Sequence, residues 1–240
     1  MSGAMEGQRV VVLGGSAGIG LETARSARAE GAEVILTGRN AQRLEQAASD
    51  VGAQAGTAFD VNDPAALDAF FEALDSRVDH VMVTAGGPSY APLDEMSPQD
   101  VRDVLAGHLA LAFEVARHVP AHVRPGGSVI LMGGTGGRSP RARSTVAAVT
   151  AAMPALTRSL ALELAPVRVN VIAPGFVDTP LSARLLGDDL DARRDELRRT
   201  LPIRRVVGPA DVAALAVHLM TNTALTGATF DIDGGQQLLE

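Results

Sequence analysis

The chain has 240 residues, 46% of them hydrophobic, and a formal net charge of -7. That is enough apolar material for one full core, and the acidic balance excludes nucleic acid or an anionic membrane as the main partner. Cysteine is absent, which excludes disulfides, thiolate metal sites and a cysteine nucleophile, and no metal is expected. Met1 to Gly7 lack a charged-then-apolar leader. No uninterrupted apolar run approaches the roughly 18 residues of a membrane span, so a cytoplasmic protein is expected.

In chain order, Val10 to Leu13 form an apolar run that breaks into Gly14-Gly15-Ser16-Ala17-Gly18-Ile19-Gly20 and re-emerges with helical spacing. This is the layout of a strand, a phosphate loop and a helix. Gly14 permits the turn off the strand, Gly18 lets the backbone approach a pyrophosphate, and Gly20 lets the helix lie close to the sheet. Strands are predicted at 9–13, 33–37, 56–59, 80–84, 128–132, 168–172 and 229–232. Between them run alanine-rich helical stretches: Asn40 caps a helix to Asp50, Asp63-Pro64 opens the next, and Ser97-Pro98 opens a long one through Val119. Gly31 is expected to close the first. The rhythm predicts a single α/β domain over residues 1–240, a doubly wound sheet of about seven parallel strands with helices on both faces. The arginine-rich stretch from Ser182 to Arg205 interrupts it and is the expected substrate lid.

The end of the second strand should record the choice of cofactor. Dinucleotide sites that bind the ribose 2'-hydroxyl of NAD place an acid there; this strand ends Thr37-Gly38-Arg39-Asn40. Arg39 suits a charge-assisted pair with a 2'-phosphate, Ser16 adds a hydroxyl, and NADP(H) is therefore expected. Asp60-Val61 ends the third strand, where a carboxylate accepts from the adenine amino group. Thr84-Ala85-Gly86-Gly87 ends the fourth with small residues that suit a wall against the ribose.

With these residues in view, the chain resembles the short-chain dehydrogenase/reductase family over nearly its whole length, which implies a Rossmann-like fold. The glycine loop matches the family's Thr-Gly-x3-Gly-x-Gly pattern with Leu13 in place of threonine, and Thr84-Ala85-Gly86 keeps half of its Asn-Asn-Ala-Gly element. Arg168 to Thr179 resembles the loop beneath the nicotinamide, which implies cofactor roles for Pro174, Gly175, Val177 and Thr179 beside Gly14, Ser16, Gly18, Ile19, Gly20, Arg39, Asp60, Val61, Ala85 and Gly86. Leu225-Thr226-Gly227 through Asp233-Gly234-Gly235 resembles the C-terminal signature. The resemblance also implies a homo-oligomer, a tetramer or a dimer, packed through the helices after His108 and Val146.

The family's chemistry uses a serine, a Tyr-x3-Lys pair and an asparagine. Here the resemblance places the tyrosine at Val146, the lysine at Thr150, the serine near Gly133 or Gly134, and the asparagine at His108. No shift of register restores them, because the chain contains no lysine and its one tyrosine is Tyr90. One reading is an NADP(H)-dependent oxidoreductase of a small carbonyl or alcohol with a non-standard donor: His108, whose pKa suits proton transfer, Thr135, a hydroxyl for an oxyanion, or Tyr90. The alternative is a non-catalytic NADP(H)-binding or interaction module, and fold alone does not choose. Arg138, Arg141 and Arg143 lie in the loop where the family lines its substrate pocket, and predict a carboxylate or phosphate on the substrate.

Overall fold

The computed structural model describes residues 3–86 and 90–239. Seven parallel strands form one sheet in the order β3-β2-β1-β4-β5-β6-β7: β1 (Arg9–Leu13), β2 (Glu33–Gly38), β3 (Gln54–Ala58), β4 (Val78–Val83), β5 (Val123–Met132), β6 (Arg168–Pro174) and β7 (Thr229–Ile232). The helices among the described residues are α1 (Gly18–Ala29), α2 (Ala41–Val51), α3 (Pro64–Glu72), α4 (Pro98–His122), α5 (Ser144–Glu163), α6 (Pro180–Leu186), α7 (Leu190–Thr200) and α8 (Pro209–Thr221).

The period-two alternation of a strand divides the core in two. Val10 and Val12 of β1 face Ala24 and Ala27 of α1, Leu44 of α2 and Leu219 of α8. Val11 and Leu13 face the opposite layer, where Phe71 of α3, Val115 of α4 and Met153 of α5 pack. The chain reverses direction across the sheet between β1 and β4, which opens a crevice at the carboxyl ends of those strands. Everything that positions the site follows from that reversal.

Local signals set the helix starts. The Asn40 side chain accepts from the Arg43 amide at 2.8 Å, Asp63 accepts from the amides of Ala65 and Ala66, and Ser97 and Asp100 cap each other's amides. Two boundaries differ most from expectation. β5 begins at Val123 rather than Ser128, because Val123 already pairs with Val78 before a bulge. The long helix α4 runs past Val119 to His122, through Pro120. The stretch 182–205 is also more ordered than a loop, being built of α6, a 3-10 turn and α7.

Two polar core residues carry structural duties. The buried Arg168 guanidinium donates to the carbonyls of Leu219, Met220, Asn222 and Leu225, tying the end of α8 to β6. His80, buried on β4, bonds Ser128 and Gln8 through its two ring nitrogens, each at 2.8 Å. Helix α5 has a mean hydropathy of 1.3 over 18 residues, enough by length and composition for a membrane span. In the fold it packs Met153, Leu160 and Ala161 into the sheet-facing core.

Candidate active site

The glycine loop is locked to the end of β4. The Thr84 and Ala85 amides both donate to the Leu13 carbonyl at 2.8 Å, and Thr84 Oγ1 bonds the carbonyls of Leu13 and Gly14 at 3.1 Å. Gly14 turns at φ 95°, and a Cβ there would stand 2.6 Å from the Ala85 amide. A Cβ on Gly20 would run into the Gly14 carbonyl, so α1 lies directly against the loop. That helix begins after Ala17 with no side-chain cap, leaving the amides of its first turn, at Gly18, Ile19 and Gly20, for an anion. These amides sit where the sequence places a phosphate cradle.

On the adenosine side, a Cβ on Gly38 would lie 2.8 Å from Ser16 Oγ, so Ser16 reaches the end of β2 where Arg39 stands exposed. Among the described residues Arg39 pairs with no carboxylate. Asp60 Oδ1 accepts from the Asn62 amide and side chain at 3.0 Å, which leaves Oδ2 for a ligand. The Val61 side chain is 6% exposed and packs into the core. Ala85 and Gly86 continue the wall, and Gly87 lies outside the described residues.

On the nicotinamide side, Pro174 and Gly175 leave β6, and the loop is held from the C-terminus. Gly175 donates to the Ile232 carbonyl at 3.3 Å, and the Phe176 amide donates to Gln236 Oε1 at 3.0 Å. Val177, like Val61, is a core side chain, bridged to Val207. Thr179 caps α6 reciprocally with Ser182, and its Cβ lies 3.6 Å from where a Gly18 Cβ would be. The glycine loop and the Pro-Gly loop therefore face each other across the crevice. Arg194 of α7 grips Asp178 at 2.8 and 2.9 Å, anchoring the expected lid beside that loop. The C-terminal signature was legible in the sequence but the role of Gln236 was not; an amide directly after paired glycines was the available signal.

At the floor, His108 of α4 meets the positions to which the resemblance assigns tyrosine and lysine. His108, Val146 and Thr150 line a cleft of about 20 Å³ with Val104, Thr145 and Val149. Burial pushes the His108 pKa below its ordinary 6.5. Thr150 turns its hydroxyl onto its own helix, donating to the Val146 carbonyl at 2.7 Å. The loop after β5 then lies down on α5. A Cβ on Gly136 would stand 3.0 Å from Val146 Cγ1, one on Gly134 3.1 Å from Thr150 Cγ2, and one on Gly137 2.8 Å from Ala151 Cα. Beyond Thr150 a mostly apolar cavity of about 340 Å³ opens between α5 and β6.

The remaining candidates fall outside the cleft. Thr135 is buried at the head of a 3-10 turn and does not line the cleft. Tyr90 is half exposed, with a phenol pushed up by desolvation. Arg138, which lines the cavity of about 340 Å³, pairs its guanidinium with both oxygens of Asp231 at 2.6 and 2.8 Å, which ties the loop to β7. Arg141 and Arg143 remain exposed.

A family model described as enoyl-(acyl carrier protein) reductase matches residues 14–237. Gluconate 5-dehydrogenase of Gluconobacter oxydans is 31% identical over 96% of this chain and 95% of its own length. The 3-oxoacyl-[acyl-carrier-protein] reductase of Escherichia coli is 29% identical over 98% of this chain and 99% of its own. Among solved structures, the MalC reductase/Diels-Alderase of Malbranchea aurantiaca superimposes with a TM-score of 0.91 at 26% identity, covering 99% of this chain and 98% of that one. A small-chain dehydrogenase in complex with NADPH does so with a TM-score of 0.81 at 29% identity, over 96% and 99%. The likeness runs from the glycine loop to the C-terminal turn, and the chain belongs to the short-chain dehydrogenase/reductase family of oxidoreductases.

Proposed function

We propose that the chain is an NADP(H)-dependent oxidoreductase of a small carbonyl or alcohol in which His108 supplies the proton. The observation that carries this reading is the cleft in which His108 meets Val146 and Thr150. Among the described residues that line this cleft, the only ionisable group is the His108 imidazole. The names of relatives acting on gluconate and on 3-oxoacyl groups support the substrate class.

The dinucleotide fits the residues present. The uncapped start of α1 receives the pyrophosphate, Ser16 and Arg39 receive a 2'-phosphate, Asp60 Oδ2 accepts from the adenine, and the backbone of the 174–179 loop holds the nicotinamide end. NADPH, when bound, supplies the hydride. His108 in its charged form would give a proton to the carbonyl oxygen of the substrate; in the oxidative direction neutral His108 would take it back. A positioned acid contributes typically about 10²- to 10⁴-fold. Burial lowers the charged fraction of His108 at neutral pH, so reduction is slow there and faster in mild acid.

Around this centre, α6 and α7 act as a lid hinged on the Arg194–Asp178 pair, and Arg141 and Arg143 receive an anionic substrate. A cytoplasmic homo-oligomer forms through α4 and α5, whose Phe113 and Leu162 are exposed. The packing of Gly136 on Val146 favours the second reading, a non-catalytic NADP(H)-binding module, because it fills space that a phenol would need. Following NADPH oxidation with a panel of ketones and quinones decides between them. Turnover of any member supports the enzyme, whereas tight NADPH binding with no turnover across the panel supports the module.

A further inference from the structure

The carboxylate of Asp60 is gripped on one side. Oδ1 accepts from the Asn62 backbone amide and from Asn62 Nδ2, each at 3.0 Å, while Oδ2 has no donor among the described residues. The terminal torsion of an aspartate is broad and roughly two-fold, so a single donor leaves the carboxylate free to turn, whereas two donors converging on one oxygen fix where the other points. The residues on either side of Asn62 are themselves held. Val61 packs into the core, the Asp63 amide donates to the Asp60 carbonyl at 3.0 Å, and Asp63 caps α3. Those contacts close the turn without the Asn62 side chain. Its amide group therefore serves the carboxylate rather than the loop.

On its other flank Asn62 meets α4. Its Oδ1 lies 3.9 Å from where a Cβ on Gly107 would stand, so the side chain is held between helix and carboxylate. Upstream, the Phe59 amide donates to the Gly38 carbonyl at 3.0 Å, which sets Asp60 beside the end of β2 where Arg39 stands. We infer that Asn62 determines which base the cofactor pocket takes, by aiming Asp60 Oδ2 at the exocyclic group of the purine. The inference rests on the reading of Asp60 as the adenine acceptor. A carboxylate accepts and does not donate. Adenine offers it the hydrogens of a 6-amino group, whereas hypoxanthine places a 6-oxo oxygen there, which a carboxylate repels. Asn62 is thus a positioning residue, acting through Asp60 and touching neither base nor substrate.

Calorimetric titration of the full chain with NADPH and with deamino-NADPH, in which hypoxanthine replaces adenine, tests this. The parent should bind NADPH ~10-fold or more tightly than the deamino cofactor, the scale of one hydrogen bond to a charged group. Asn62→Leu, which keeps the branched shape and loses the donor, should cut that preference ~3-fold or more by weakening NADPH alone, with the melting temperature unchanged. Asp60→Ala should abolish the preference, and adding Asn62→Leu to it should cost nothing further. An Asn62→Leu chain with the parent's preference overturns the inference, as does one that loses affinity for both cofactors alike, the mark of a structural role. If Asp60→Ala abolishes the preference while Asn62→Leu keeps it, the role of Asn62 falls and Asp60 stands as the acceptor. A preference that survives Asp60→Ala removes Asp60 from the adenine site, and the role of Asn62 with it.

Discussion

The Thr150 hydroxyl donates to the carbonyl of Val146 at 2.7 Å, one turn back along α5. A hydroxyl committed in this way has no hydrogen left for a ribose. With the loop at Gly134 and Gly136 resting on the same two side chains, the space for a phenol and an ammonium is closed. Installing both by Val146→Tyr with Thr150→Lys should therefore destabilise the fold by ~1 to 3 kcal/mol through overpacking and raise kcat on simple ketones by less than about tenfold. Urea unfolding and steady-state assays read both; a large gain in rate with an intact fold would show that the loop yields readily.

Arg39 stands at the end of β2 and pairs with no carboxylate among the described residues, and Ser16 is within reach of the same strand end. Charged hydrogen bonds of this type contribute about 1.5 to 3 kcal/mol, so NADPH should bind ~10- to 100-fold more tightly than NADH. Arg39→Asp should reverse the order. Calorimetric titration of both cofactors checks it, and equal affinities in the parent chain would remove Arg39 from the site.

Gln236 holds the loop at Phe176 from the C-terminal turn, a contact that lies behind the cofactor pocket. Gln236→Ala should weaken NADPH binding by ~3- to 10-fold, on the scale of one hydrogen bond, with little change in melting temperature. Unchanged affinity would mean that the loop keeps its shape unaided.

His80 gives a pH dependence of stability separate from catalysis. Burial lowers its pKa from 6.5 to about 4, and its bonds to Ser128 and Gln8 are those of a neutral ring. Above pH 6.5 both folded and unfolded chains hold the neutral form, and the contribution is fully present. As pH falls from 6.5 toward 4 the unfolded chain takes up the proton and the folded one resists, so about 3 kcal/mol is lost progressively. Chemical unfolding of the parent and of His80→Gln between pH 8 and pH 4.5, values set by that window, should show the parent's slope flattened in the variant. Parallel slopes would contradict the assignment.

How far the sequence discloses this molecule depends on the range of the forces involved. β1 and β7 lie where their apolar runs put them, and the starts of α2, α3 and α4 sit at Asn40, Asp63 and Ser97 because capping is a local event within one turn. The glycine loop was legible for the same reason. What escaped depends on contacts between distant segments. Nothing in the local pattern tells that Arg138 is neutralised by Asp231 on β7, that Val61 and Val177 turn into the core, or that Thr145 comes to share a cleft with His108. The Gly136–Gly137 pair opens the arginine-bearing loop, and its close packing on α5 is visible only once the helix is in place.

The central claim is that an imidazole from α4 has taken over the proton transfer, and kcat for reduction as a function of pH, in the parent chain and in His108→Ala, tests it most directly. Because burial places the His108 pKa below 6.5, the parent's kcat should be high in mild acid and fall as pH rises through that pKa. His108→Ala should lose ~10²-fold or more at the acid plateau and lose the titration, while its affinity for NADPH stays the same. A variant that keeps both the rate and the pH profile of the parent would contradict the account.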